Sequence, residues 1–65
     1  MNKEKEIQEL GIFYSEAISG ADTEELLVNS TRILGCKILN ILNNCTLDEM
    51  DAVIPQLLSG EFLSL

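Results

Sequence analysis

Residues 22–46 read DTEELLVNSTRILGCKILNILNNCT and have the pattern of one long amphipathic helix. Asp22 stands where an N-cap residue is expected, and Glu25 follows three positions later, which is the spacing of a capping box. Apolar positions then continue at helical spacing as far as Asn43. The sequence therefore predicts a helix from Asp22 to about Asn43, roughly 30 Å long at about 1.5 Å per residue.

This predicted helix is apolar around most of its circumference. Its core-facing residues project within a narrow arc, and further apolar side chains widen that arc on both sides. A helix of this kind is normally covered by more than one neighbour. The rest of the chain offers one short helix on each side, so we expect part of the surface to meet a second copy of the chain. The predicted oligomer interface consists of Leu27, Leu34, Ile38, Ile41, Phe62 and Leu65.

A first helix is predicted upstream, over residues 2–19. Its apolar side chains follow the steps of a single helical stripe. They are Ile7, Leu10, Tyr14 and Ala17. Gly20 is expected to end this helix in the left-handed conformation, which glycine adopts at little steric cost. Gly11 lies inside the stripe, where glycine lowers helix stability, so either another backbone approaches closely there or the helix bends, and we favour the close approach.

A third helix is predicted to begin at Thr46, with Glu49 completing a capping box, and to end at Gly60. Its core-facing residues are expected to be Leu47, Met50, Ile54 and Leu57, with Val53 and Leu58 beside them. Pro55 lies inside this pattern and removes one backbone hydrogen bond, so a kink or a restart is expected near it. The apolar tail, residues 61–65, is expected to dock on the domain or on a partner.

These elements predict an all-α fold of three short helices, a helical hairpin followed by a Pro-kinked third helix, assembling as a homo-oligomer. No stretch has the alternation or the turn signals of a β-hairpin. With 65 residues the chain forms one small domain at most, 1–65, and a core of this size is marginal without further support. We expect self-association, as a dimer or tetramer, to supply that support.

Charge and composition exclude several classes of function. Eleven acidic and four basic residues give a net charge of −7, and such a balance argues against direct binding to a nucleic-acid backbone. The polar stretch 1–9 lacks the apolar region of a signal peptide, and no stretch approaches a membrane span. We therefore expect a cytoplasmic protein that binds neither nucleic acid nor membrane.

The sequence offers little for catalysis or metal binding. Histidine is absent, so zinc sites and activated nucleophiles lose their commonest participant. The acids Asp48, Glu49 and Asp51 fit the first turn of a helix, where negative charge is favourable, better than they fit a calcium loop. Cys36 and Cys45 lie too far apart along one helix to form a disulfide with each other. We expect no enzyme, cofactor or metal; whether Cys36 is reactive or bridges two subunits stays open.

Two hypotheses for the function remain. The first is a small acidic regulator that binds and inhibits another protein, in particular a basic nucleic-acid-binding one, in the manner of an antirepressor from a phage or mobile element. The second is a structural module whose function is self-association alone. An RNA-binding helical hairpin matches in size but lacks a basic stripe. The predicted partner-binding residues are Glu6, Glu9, Ile12, Phe13, Glu16 and Glu61.

Overall fold

The computed structural model describes residues 2–63, with side chains from Lys3 onward. It contains three α-helices, α1 (Asn2–Ser19), α2 (Glu24–Asn43) and α3 (Leu47–Ser59), followed by a short 3-10 turn, Glu61–Leu63. No strand occurs within these residues. The all-α prediction is confirmed, and the bounds of α1 are those that the sequence predicts.

The first helix is the element on which the others pack. Both α2 and α3 lie against α1, as does the 3-10 turn, whereas α2 and α3 make at most a marginal contact with each other. The buried core follows from this arrangement, since α1 contributes two of its five side chains. These side chains are Ile7, Leu10, Leu34, Ile41 and Val53. The molecule is accordingly elongated, measuring 39 × 19 × 17 Å.

Two polar contacts help to join α1 to α2. The Thr31 hydroxyl donates its single proton to the Leu27 carbonyl oxygen, so the 3.0 Å hydrogen bond between Tyr14 and Thr31 is donated by the Tyr14 hydroxyl. Beside it on α1, the Phe13 ring has its centroid 5.1 Å from the Lys37 ammonium, within the range of a cation–π interaction. The two contacts fix the rotation of α2 against α1.

The predicted N-cap of α2 is wrong by one residue. Thr23, not Asp22, has the extended backbone of a cap, and its hydroxyl accepts a hydrogen bond from the Leu26 amide at 3.2 Å. Glu25 is then only the second residue of the helix, so it does not complete a capping box. Asp22 and Thr23 are adjacent and both cap well. The spacing to Glu25 therefore favoured the wrong one of two suitable residues.

The start of α3 is confirmed in detail. The Glu49 amide donates to the Thr46 hydroxyl at 3.1 Å, and the Thr46 amide donates to the Glu49 carboxylate at 2.9 Å. The Thr46 amide, which binds the charged form, lowers the pKa of Glu49 below its usual value. Because the pKa of Glu49 is lower in the folded chain than in the unfolded chain, the hydrogen bonds to its carboxylate stabilise the fold at pH values above the unfolded-state pKa. This stabilisation is lost as the pH falls through the folded-state pKa of Glu49.

The structure corrects two predictions about glycine and proline. Gly60 ends α3 with φ 70°, as predicted, but it is the only glycine with positive φ among the described residues. Gly20 ends α1 without the left-handed conformation, and its amide still donates to the Glu16 carbonyl. The helix α3 runs through Pro55 without a break, so the predicted restart is wrong, while a bend at Pro55 stays a prediction.

The chain after Gly60 docks on α1, as predicted for the apolar tail. It does so at Gly11, where the approach of another backbone was favoured. A Cβ atom at Gly11 would overlap the Phe62 carbonyl oxygen and lie 2.8 Å from the Phe62 carbonyl carbon. Phe62 and Leu63 are half-buried and pack against the core. Leu65 lies outside the described residues. The backbone of the 3-10 turn thus occupies the space that a side chain at residue 11 would need.

The two helix caps lead to a matched prediction. We expect Thr46→Ala and Thr23→Ala each to lower the free energy of unfolding by about 0.5–2 kcal/mol, because an amide in the first turn loses its acceptor. Asp22→Ala should change it by less than about 0.5 kcal/mol, as is usual for surface substitutions. Urea denaturation of the three variants measures these differences. A larger loss for Asp22→Ala than for Thr23→Ala would contradict the N-cap assignment.

Candidate protein-docking site

A groove of 810 Å³ lies between α1 on one side and the end of α3 with the segment that follows it on the other. We call it the acidic groove. Its principal lining residues are Glu4, Ile7, Ile12, Glu16, Glu61 and Phe62, with Gln8, Gly11, Ser15, Gln56 and Ser59 between them. Glu4 and Glu16 lie about 18 Å apart along α1, at about 1.5 Å per residue. The groove is therefore long enough to take several residues of an extended or helical peptide.

The groove owes its shape to the contact at Gly11. Because α1 presents no side chain there, the 3-10 turn lies directly on the helix and holds Phe62 beside Ile7. The Ser59 hydroxyl supports this turn, since it donates to the Gln56 carbonyl at 3.0 Å and accepts from the Glu61 amide at 3.4 Å. These contacts hold the second wall of the groove against α1.

The groove combines negative charge with an apolar floor. Three carboxylates line it, those of Glu4, Glu16 and Glu61, and no Lys or Arg is among the lining residues. Ile12 is 60% exposed beside them, although it is a large apolar side chain. Fields of one sign are concentrated in clefts with low-dielectric walls. The arrangement suits a positively charged segment that also carries an apolar anchor.

The predicted partner-binding residues do not form one surface. Ile12, Glu16 and Glu61 line the acidic groove, whereas Glu6, Glu9 and Phe13 line a smaller cavity of 340 Å³ towards α2. Positive charge lies close to this second set. The Lys3 ammonium is 3.3 Å from the Glu6 carboxylate, and Lys37 covers the Phe13 ring.

Sequence reasoning missed Glu4 as a lining residue of the groove. The signal was present, because Glu4, Gln8 and Ile12 follow one another at steps of four and so share a helix face. The sequence does not show which face of α1 the chain after Gly60 covers. That placement decides which acids line the groove.

The predicted oligomer interface lies largely inside the chain. Leu34 and Ile41 are buried against α1 in the core, and Ile38 and Phe62 are partly buried against it. Only Leu27 is exposed among the described members, at 41%. Since α1 covers this side of α2, a second copy docked on this fold would meet other residues first.

Exposed large apolar side chains lie on all three helices, with Ile12 on α1 and Leu26, Leu27, Val28, Ile33 and Leu39 on α2, but the two most exposed lie on α3. Leu47 and Leu58 are each 82% exposed and Ile54 is 42% exposed, and we call these three residues the outer stripe. The sequence placed Leu47 and Ile54 on the core face. Leu57 packs against the core as predicted, but the fully buried residue is Val53, which was placed beside the predicted face. The core face of α3 is therefore turned from Leu47 and Ile54 towards Val53.

Other chemistry is sparse in the described part of the chain. No group of three His, Cys, Asp or Glu side chains in it is placed to hold a metal ion. Cys36 is exposed, and Cys45 is half-buried against the core. None of the described helices is long and apolar enough to cross a lipid bilayer. Comparisons with models of protein families, with curated proteins and with solved structures find no match.

Proposed function

We propose that this chain is a small regulatory protein that binds a basic segment of another protein in the acidic groove and thereby inhibits it. The observation that carries the proposal is the groove itself, in which carboxylates surround exposed apolar surface and no basic residue lies among them. Its volume of 810 Å³ lies in the range of about 300–1,000 Å³ that binding clefts usually have.

Charge complementarity selects the class of partner. Glu4 and Glu16 form no ion pair with the described basic residues, so a bound segment with Lys or Arg at matching positions gains attraction without displacing an existing partner. Ile12 between them offers an apolar contact that fixes the position of the segment. Buried apolar anchors supply most of the affinity at interfaces, while charges at the rim chiefly raise the association rate.

Inhibition follows from what basic segments do in their own proteins. DNA- and RNA-binding proteins contact phosphates through Lys and Arg. A basic segment that is held in the acidic groove cannot contact nucleic acid at the same time. Binding of the segment would therefore inhibit the nucleic-acid-binding protein to which it belongs. The proposed role is therefore that of an antagonist of a nucleic-acid-binding protein, similar in mode to an antirepressor.

The second candidate function, a self-association module, is favoured by one separate observation. The outer stripe of α3 contains none of the residues that line the acidic groove, and it carries the most exposed leucines in the described chain. Self-association through that stripe and binding of a partner in the groove use different surfaces. The two functions are therefore compatible.

The proposal is tested with a short synthetic peptide that carries Lys and Leu at helical spacing, and with a matched peptide in which Glu replaces Lys. We expect the basic peptide to bind and the acidic one not to. The double variant Glu4→Gln/Glu16→Gln should weaken binding about tenfold, which is about 1.4 kcal/mol. Ile12→Ser should weaken it by a similar factor. Fluorescence anisotropy measures each dissociation constant.

The chain supplies matched controls for both changes. The control for Glu4→Gln/Glu16→Gln is Glu6→Gln/Glu9→Gln, which also removes two negative charges from α1 but does so outside the groove. The control for Ile12→Ser is Leu39→Ser, which removes an apolar side chain that is 62% exposed on α2. Neither should change binding more than about twofold, a small fraction of the roughly 1.4 kcal/mol that a tenfold change represents. If the controls weaken binding as much as the groove variants do, or if the acidic peptide binds equally well, the groove is not the docking site.

A further inference from the structure

The outer stripe is an apolar surface that the fold leaves uncovered. Leu47, Ile54 and Leu58 are spaced by seven and four residues, so they lie along one line of α3. Leu47 and Leu58 are about 17 Å apart along the helix axis, at about 1.5 Å per residue. Their exposure of 82% is the highest of any large apolar residue in the described chain.

The elongated molecule also exposes more surface than a compact monomer of its mass would. Its accessible surface is 4644 Å², whereas a compact monomer of 7.2 kDa is expected to expose about 4,100 Å². The excess is about 500 Å², which approaches the roughly 600 Å² that each partner contributes to the smallest specific interfaces. One additional contact by a second copy would therefore bring the exposed surface close to that of an ordinary small protein.

We propose that two copies of this chain associate through their outer stripes, with the two α3 helices antiparallel about a two-fold axis near Ala52 and Val53. In that arrangement Leu47 of each copy lies opposite Leu58 of the other, and the two Ile54 side chains lie close to the axis. A two-fold interface of this kind is self-complementary and closes after two subunits. The proposal does not depend on the function assigned to the acidic groove.

The charges of α3 select the antiparallel orientation. The acids Asp48, Glu49 and Asp51 all lie in its first half, and residues 52–59 carry no charge. Parallel helices would place the acids of both copies side by side, where like charges repel. In the antiparallel pair Asp48 and Glu49 of one helix lie opposite the uncharged half of the other, and only the two Asp51 side chains, which flank the axis as the two Ile54 side chains do, stay close to each other.

A second copy is also a better occupant of the stripe than a basic partner. A basic segment gains attraction only where acids surround the contact, and the half of the stripe around Leu58 has none on its own helix. Since each copy carries a net charge of −7, association of two copies is opposed by repulsion, which salt screens over about 8 Å at physiological ionic strength. The dimer should therefore become tighter as the salt concentration rises. Binding of basic segments in the acidic groove should become weaker over the same range, because salt screens the attraction.

Sedimentation equilibrium of the full chain tests the proposal. We expect a reversible dimer whose dissociation constant falls as NaCl rises from about 50 to 500 mM, since screening reduces the repulsion. Leu47→Ser and Leu58→Ser should each raise that constant at least about tenfold. Asp51→Asn, which removes a charge from the same helix, should lower it. Circular dichroism verifies that each variant keeps its helices, as expected for residues that are 82% exposed.

The control is Leu39→Ser, because Leu39 is 62% exposed but lies on α2. A wild-type chain that remains monomeric up to about 1 mM, a dissociation free energy of about 4 kcal/mol, overturns the proposal. So does a dimer that tolerates both leucine variants, or one that Leu39→Ser disrupts instead.

Cross-linking tests the orientation. Leu47→Cys and Leu58→Cys are placed singly in a chain that carries Cys36→Ser and Cys45→Ser, and the two proteins are mixed and oxidised. We expect the mixed disulfide between residue 47 of one copy and residue 58 of the other to form faster than either symmetric one, because only that pair is adjacent in the antiparallel dimer. Faster formation of the two symmetric disulfides shows a parallel dimer and overturns the proposed arrangement.

Discussion

Gly11→Ala is expected to destabilise the fold, although the same substitution in an exposed helix normally stabilises it. Alanine favours a helix over glycine by about 1 kcal/mol. At residue 11, however, the new Cβ atom would overlap the Phe62 carbonyl oxygen, which belongs to backbone and not to a flexible side chain. The 3-10 turn must therefore move away from α1. We expect a net loss of about 1–3 kcal/mol in the free energy of unfolding, typical of an overfilled core.

Gly35→Ala is the matched control for this prediction. Gly35 also lies inside a helix, α2, but no atom lies within 4 Å of a Cβ atom built there. We expect this variant to gain about 1 kcal/mol, the ordinary difference between the two residues. Thermal and urea denaturation compare the two variants directly. If Gly11→Ala is stabilising to the same extent, the chain after Gly60 does not dock on α1.

Ile7→Ala is expected to have the largest effect of any single truncation in α1. Ile7 is fully buried, as is Val53 on α3, and both belong to the core that joins the three helices. Removing a buried isoleucine side chain down to alanine costs about 2–5 kcal/mol. A domain of this length has a total stability of about 3–10 kcal/mol, so the variant should be partly or fully unfolded at about 37 °C.

Leu39→Ala serves as the reference for the loss at Ile7. Leu39 is an apolar helix residue of similar size but is 62% exposed, and we expect a change of less than about 0.5 kcal/mol. Helix content measured by circular dichroism during urea titration gives both values. Equal losses at the two positions would mean that the core does not lie along the face of α1 that contains Ile7.

The sequence was most informative where a local interaction determines the structure. The Thr46 capping box needs only residues 46–49, and the αL conformation of Gly60 needs only its own backbone, so both were predicted correctly. The close approach at Gly11 was the favoured one of two alternatives, the other being a bend of the helix, because glycine weakens a helix and is favoured inside one where a neighbouring backbone needs the space of a side chain. None of these predictions depended on knowing which helices pack together.

Apart from the N-cap of α2 and the backbone conformation of Gly20, which are local errors, the predictions that failed depend on packing between helices. On α3 the sequence placed Leu47, Ile54 and Leu57 on one core face, and only the position of α1 decides that Leu57 packs against the core while Leu47 and Ile54 stay exposed. The same holds for the acidic groove, since Ile12 and Glu16 were selected from the sequence but Glu4 was not. Which acids line the groove depends on where the chain after Gly60 docks, and that contact joins residues about fifty positions apart in the sequence.

The lack of a substantial contact between α2 and α3 has a consequence for cooperativity. Side chains of all three helices share one core, but the backbone of α2 and that of α3 pack chiefly on α1. We therefore expect α3 to open while α2 stays packed on α1. Proteins open in such separable units, often called foldons. One unit pairs α1 with α2, and the other pairs α1 with α3 and the 3-10 turn. The acidic groove belongs to the second unit alone, so opening of α3 alters the groove while the hairpin of α1 and α2 stays folded.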